Sequence, residues 1–132
     1  MNSVDDRTAR LTLPILDPRL GVECACGDPV TWREALDLLY GLLPEYANSL
    51  SGALQTGDTA GLHRAAHSLS GASSYCGTVA VQAAAKALET LCLRENVPDL
   101  PDAVQAVLHH IDRLIQLRQS GMLPAADGEP VY

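Results

Sequence analysis

The sequence predicts an all-α fold, an antiparallel four-helix bundle with an additional short N-terminal helix. Apolar residues recur at helical spacing in four long segments joined by short loops, and no segment shows the alternation typical of a strand. The chain of 132 residues is 47% hydrophobic but has no Phe and one Trp, so Leu, Val, Ile and Ala must build the core. This length and composition predict one folded domain.

The chain is expected to divide into a flexible leader at residues 1–13, a folded bundle at residues 14–120 and a flexible tail at residues 121–132. The leader has two aspartates and no apolar segment, which is atypical of a signal peptide. No apolar run reaches the roughly 18 residues that span a bilayer. We therefore expect no direct membrane contact.

Aspartate–proline pairs predict the starts of the first two helices. Asp17 can cap a short helix with Pro18 at its first position, and this helix is expected to run to about Cys26. Asp28-Pro29 begins the second helix in the same way. Pro44 is expected to kink this helix rather than end it, because the apolar pattern continues beyond the proline.

Glycine and proline residues separate the remaining helices. Gly57 is a natural end for the second helix, and Asp58 is a natural cap for the third. The third helix is expected to run to about Cys76, with Gly77 separating it from the fourth. The segment Pro98–Pro101 predicts a turn followed by the last helix.

The third helix is predicted to expose a histidine. At about 100° per residue, one side of this helix carries an apolar stripe of Leu62, Ala66, Leu69, Ser73 and Cys76. The opposite side carries His63, His67, Ser70, Gly71 and Ser74. A glycine inside a helix costs about 1 kcal/mol relative to alanine. We therefore expect Gly71 to leave room for something to approach His67.

The charge of the chain is unevenly distributed. A net charge of −7 disfavours nucleic acid and anionic membranes as partners. The segment Thr59–Leu88 nevertheless contains no Asp or Glu, while it holds Arg64 and Lys86, the only lysine of the chain. Such a surface suits a negatively charged ligand or an acidic partner pocket, although chance in an Ala-rich segment explains it equally well.

The four cysteines do not have the spacing of a zinc site, since Cys-x-Cys occurs once and without a second pair. They are Cys24, Cys26, Cys76 and Cys92. We expect reduced, mostly buried thiols of a cytoplasmic protein.

The pattern around the exposed histidine resembles that of a known family. His67-x-Leu69-x-Gly71, with Gly77 ten residues after the histidine and Leu88-Glu89 following, resembles the histidine-containing phosphotransfer (HPt) domain. The resemblance extends from about Asp17 to Leu117.

Two further motifs are similar to the C-terminal HPt domain of BarA/GacS-type hybrid sensor histidine kinases. They are Tyr75-Cys76-Gly77 and, near the start of the chain, Leu20-Gly21-Val22-Glu23 followed by Gly27-Asp28-Pro29.

The resemblance implies an up-down four-helix bundle that acts as a phosphorelay intermediate of two-component signalling and not as an enzyme. His67 would accept a phosphoryl group from an aspartate of one receiver domain and pass it to a response regulator. The chain would be a monomer with no metal or cofactor of its own, and Mg²⁺ would come from the receiver. Gly71 would let the receiver's loops close over the imidazole. His63 and Ser74 are expected in the docking surface and phosphoryl environment.

One position departs from the family pattern. Many HPt domains carry a lysine three residues after the histidine, where this chain has Ser70, whose hydroxyl adds no positive charge. Arg64, Lys86 or the partner is therefore expected to neutralise the phosphoryl group. Glu89 lies where the family often has a polar residue that accepts a hydrogen bond from the inner imidazole nitrogen, leaving the outer nitrogen free to attack.

Three alternative interpretations remain. His63 and His67 have the i, i+4 spacing of metal ligands, but they lack a third ligand nearby, so zinc is not expected. Cysteine–histidine catalysis would need a reactive Cys76, which lies on the apolar stripe and is expected to be inert. A structural or protein-interaction helical bundle explains the helices, but it leaves Gly71 and the acid-free surface unexplained.

Overall fold

The computed structural model describes residues 13–94 and 98–132, which form five helices and no strand. The helices are α1 (Pro18–Cys24), α2 (Pro29–Gln55), α3 (Thr59–Ser73), α4 (Val79–Leu91) and α5 (Leu100–Gln119). Helix α3 packs between α2 and α4, while α5 packs against α4 and α2, so the four long helices enclose one core. The predicted fold class is confirmed. The predicted leader lies outside the described residues, except for Leu13.

Aspartate side chains cap three helices where the sequence predicts caps. Asp17, Asp28 and Asp58 each accept a hydrogen bond from a backbone amide two or three residues later, at 3.2, 3.1 and 2.9 Å. Each cap satisfies an amide that has no partner within its helix, which stabilises a helix by roughly 1 kcal/mol. Helix α2 continues through Pro44, as predicted.

Two helices end earlier than the sequence predicts. Helix α1 ends at Cys24 rather than Cys26, because Cys26 itself has a φ of 57° and has left the helical region. Helix α3 ends at Ser73 rather than Cys76, and the turn that follows is completed by Gly77 at a φ of 74°. In both places a left-handed residue reverses the chain.

The α3–α4 turn is joined to the start of α1 and to α2 by hydrogen bonds to its backbone carbonyls. The Trp32 indole is fully buried, and its Nε1 donates a hydrogen bond to the Cys76 carbonyl at 2.8 Å. Gly21 lies directly against this indole, so a Cβ at position 21 would overlap it. The backbone amide of Asp17 donates to the Gly77 carbonyl at 2.8 Å. These contacts fix the end of α3, the helix that carries His67.

The C-terminal segment 121–132 packs back onto the bundle, whereas the sequence predicts a flexible tail. Val131 forms an isolated antiparallel bridge with Leu16. The Arg33 guanidinium donates a hydrogen bond to the Pro124 carbonyl at 2.7 Å. The C-terminal segment contributes only backbone groups to these hydrogen bonds, so hydrophobic periodicity gives no sign of them.

The cysteines are less uniformly buried than expected. Cys24 and Cys26 are exposed, Cys92 is half-buried and Cys76 is buried, and all four are free thiols. Burial, with a smaller contribution from Cys24, raises the pKa of the Cys76 thiol to about 11. The prediction of buried thiols is therefore wrong for the first pair, which follows the end of a short helix at the surface.

No helix within the described ranges is both long and apolar enough to cross a membrane.

Candidate functional site

His67 projects from α3 with one ring nitrogen held by a carboxylate. Its side chain is 73% exposed, and its Nδ1 lies 2.6 Å from Oε2 of Glu89, whose side chain is 19% exposed. An ionised carboxylate can only accept a hydrogen bond, so Nδ1 carries the hydrogen. In the neutral ring, the lone pair then resides on Nε2. The structure thus brings Glu89 to the inner nitrogen of the exposed histidine.

A cleft of about 240 Å³ lies between α3 and α4 beside this pair. The α3–α4 cleft is lined by His67, Ser70, Gly71, Ser74, Gln82, Lys86 and Glu89. On α3, Ser70 and Gly71 follow His67 by three and four residues, and Ser74 caps the helix one turn later. On α4 the lining residues are spaced by four and then by three residues, so each helix contributes one face. This register places the polar faces of two helices opposite each other.

Lys86 is the cation that lines the cleft, and it is exposed. It precedes Glu89 by three residues on α4, so it lies one turn away on the same face. Gln82 continues that face by a further turn, and sequence reasoning missed it. A helical wheel of α4 anchored on Glu89 would have identified Gln82 as a third polar residue of the site.

Ser70 is buried rather than on the exposed side that the sequence predicts. The residue is 8% exposed, because α4 packs along the flank of α3 that carries it. Ser74, also on this flank, donates its hydroxyl hydrogen to the Gly71 carbonyl at 2.6 Å. Both serines line the cleft, but the hydrogen of Ser74 is already used at the end of the helix.

Gly71 is exposed, and the packing of the bundle does not require a glycine there. A Cβ at position 71 would have no heavy atom within 4 Å, whereas a Cβ at Gly61 would crowd the Asp58 carboxylate. The position has helical geometry without a positive φ. Glycine therefore lowers the stability of the helix one turn from His67, at the rim of the cleft, although alanine would fit there.

The other two predicted site residues on α3 lie outside the cleft. The His63 and His67 rings stack with centroids 6.3 Å apart and planes 4° apart, so His63 flanks the exposed imidazole. Arg64 lies on the opposite flank, in a groove between α2 and α3 where Tyr46 and Ser68 hydrogen-bond at 2.8 Å. Of the two cations that the sequence predicts, only Lys86 shares the cleft with His67.

The geometry gives little support to a metal site or to a reactive cysteine. In the part of the chain that the structure describes, no group of three or more His, Cys, Asp or Glu residues could hold a metal ion. Cys76 is buried and its pKa is raised to about 11, so little thiolate is present near neutral pH.

One comparison with known proteins matches the region that contains this cleft to a protein family. The family model described as Hpt domain matches residues 34–117, which include most of α2 and α5 and all of α3 and α4. The match therefore contains His67 and every residue that lines the α3–α4 cleft. No curated protein and no solved structure matches the chain.

Proposed function

The chain belongs to the Hpt-domain family, and from this premise we propose that His67 accepts a phosphoryl group from a receiver-domain aspartate and passes it to a response regulator. Hpt domains take part in phosphorelays of two-component signalling and interact with receiver domains. They are phosphotransfer modules and not catalysts.

The observation that carries this proposal is the pair formed by His67 and Glu89. Because Glu89 holds the hydrogen on Nδ1, the lone pair resides on Nε2 of a largely exposed side chain and is free to act as a nucleophile. In the transfer, an Nε2–P bond forms while the P–O bond to the aspartate breaks, and the aspartate leaves as a carboxylate. The second transfer reverses these bond changes on another receiver. Such chemistry depends mainly on positioning and on charge neutralisation.

We assign the neutralising charge in this chain to Lys86. Ser70 replaces the lysine that many family members carry on the histidine's own helix, and Arg64 lies in a different groove. Lys86 reaches the cleft from α4, and the Gln82 amide can donate a hydrogen bond from the same face. The phosphoryl group on Nε2 would thus be neutralised from the neighbouring helix, with Mg²⁺ supplied by the receiver.

We also propose a closer relation to the C-terminal HPt domain of BarA/GacS-type hybrid kinases. Packing within the N-terminal region supports it, because Gly21 and Gly77 of the two shared motifs lie close together, next to Trp32. As such a module, the chain would act as a monomer on the cytoplasmic side of the membrane. Its four long helices already bury their apolar faces in a common core, which supports the monomer.

The test is a complete relay with purified components. Receiver domains phosphorylated on aspartate are incubated with this chain, and then a panel of response regulators is added. We expect the label to appear on this chain as a base-stable, acid-labile phosphoramidate and then to pass to one regulator. A structural helical bundle, by contrast, would acquire no label from any receiver.

A further inference from the structure

We infer that the Glu89 carboxylate keeps phosphorylated His67 in its labile form, so that this module holds the phosphoryl group briefly and transfers it readily. The inference rests on the proposed function, because it concerns the phosphorylated state of His67. It concerns the charge of Glu89 and goes beyond the tautomer that this residue fixes before phosphorylation.

Nδ1 of the His67 ring can donate a hydrogen bond, whereas the Glu89 carboxylate can only accept one. After Nε2 is phosphorylated, the ring still carries the hydrogen on Nδ1. This hydrogen points at the Glu89 carboxylate, because Nδ1 and Oε2 of Glu89 lie 2.6 Å apart in the unphosphorylated chain. Loss of that hydrogen to solvent would leave a lone pair on Nδ1 facing an oxygen that can only accept. Two acceptors at this separation repel each other, so the carboxylate opposes loss of the hydrogen. Hydrogen bonds between charged partners are about twice as strong as neutral ones.

This hydrogen determines how readily the phosphoryl group leaves. When the Nε2–P bond breaks, its electron pair remains on Nε2. If Nδ1 still carries its hydrogen, the leaving group is neutral imidazole, whereas without that hydrogen it is the much more basic imidazolate. The phosphoryl group passes to an aspartate oxygen of a receiver or, in the absence of a partner, to water. A carboxylate at position 89 therefore shortens the lifetime of the phosphorylated state.

The other charged and titratable groups near the ring do not replace this effect. His63 stacks on the His67 ring from the same helix without a hydrogen bond to it, and Lys86 lies one turn from Glu89 on α4. Lys86 is exposed, so water screens the electrostatic effect of its charge on the ring. Its ammonium group would be attracted to the negatively charged phosphoryl oxygens. Glu89 is the group in direct contact with Nδ1.

The variant Glu89→Gln removes the charge while it preserves the size of the side chain. The Gln amide can accept the hydrogen of Nδ1 in the free ring, and it can also turn to donate its NH₂ to an unprotonated Nδ1 in the phosphorylated ring. The variant thus stabilises the form that Glu89 disfavours. Glu34→Gln is the matched control, because Glu34 is an exposed glutamate on α2 outside the cleft.

The experiment measures the lifetime of the phosphorylated chain without any partner. Wild type and both variants are phosphorylated with phosphoramidate and freed of the donor. Loss of the phosphoryl group from His67 is followed by intact mass from pH 6 to 9, with H67Q as the blank for label on the other histidines. At pH 8 we expect E89Q to retain it about five- to tenfold longer than wild type, from the difference between charged and neutral hydrogen bonds. As the pH rises, hydrolysis of phosphorylated E89Q should begin to slow at a lower pH than hydrolysis of the phosphorylated wild type. E34Q should behave as wild type.

Two other results have distinct meanings. If His67 is phosphorylated but E89Q and wild type share one lifetime and one pH profile, the role assigned to the charge of Glu89 is refuted and the proposed function stands. If neither phosphoramidate nor any phosphorylated receiver labels His67, the proposed function fails, and this inference fails with it.

Discussion

Replacing Gly71 with alanine should stabilise the fold and impair its function. A Cβ at this position meets no heavy atom within 4 Å, and the backbone is helical without a positive φ. The substitution therefore gains the helix propensity of alanine, about 0.8–1.0 kcal/mol, with no steric loss to set against it. The unfolding entropy of a domain this size is about 0.28 kcal/mol/K, so the melting temperature should rise by about 3 °C.

The same methyl group would stand on the surface that a receiver must approach. We expect G71A to accept phosphoryl groups from a phosphorylated receiver several-fold more slowly than wild type. Gly71→Glu should leave the fold intact but slow transfer by about tenfold or more, through bulk and repulsion of the acidic receiver site, which corresponds to about 1.4 kcal/mol. Labelling by phosphoramidate, a small donor that needs no docking, should be nearly unchanged in G71A.

Gly41→Ala is the control, because Gly41 is also an exposed helical glycine with no heavy atom within 4 Å of a built Cβ. It should gain similar thermal stability, measured by circular dichroism, and transfer at the wild-type rate. If G71A also transfers at the wild-type rate, then Gly71 does not serve receiver docking.

Two further predictions concern Lys86 and Cys76. Lys86→Gln should slow transfer from a receiver about three- to tenfold, since it removes an exposed charge beside the phosphoryl group. Arg64→Gln should have little effect on this rate, because Arg64 lies in a different groove. An equal loss of rate in both variants would contradict the assignment of the neutralising charge to Lys86. At pH 8.5, iodoacetamide should modify Cys24 and Cys26 but leave Cys76 intact until urea unfolds the chain. The Cys76 thiol has a pKa of about 11 when folded against 9.0 as its ordinary value, so the unfolding free energy should fall as the pH rises from 9 to 11.

The helices could be predicted from sequence because their signals are local. Asp17, Asp28 and Asp58 cap helices through amides two or three residues away. The apolar pattern continues on both sides of Pro44, and so does the helix. The exposure of His67 was also predictable, since the core-facing stripe of α3 defines its opposite side.

Features that depend on the packing of one helix against another were not predictable in this way. A helical wheel of α3 places Ser70 at the surface, but α4 covers that flank. The same packing places Lys86, and not Arg64, in the cleft beside His67, and it adds Gln82 to the cleft. The contact of Val131 with Leu16 joins the backbone of the C-terminal segment to that of the segment before α1, and no local pattern encodes it.

One particular imidazole, that of His67, is proposed to carry the phosphoryl group. The chain offers a stringent comparison, because His63 lies one turn before His67 on α3 and the two rings stack. His67→Gln and His63→Gln are incubated with a phosphorylated receiver domain, and the label on each chain is measured after denaturation. We predict that H67Q acquires no label and that H63Q is labelled at His67. Label of wild-type intensity on H67Q would contradict the account.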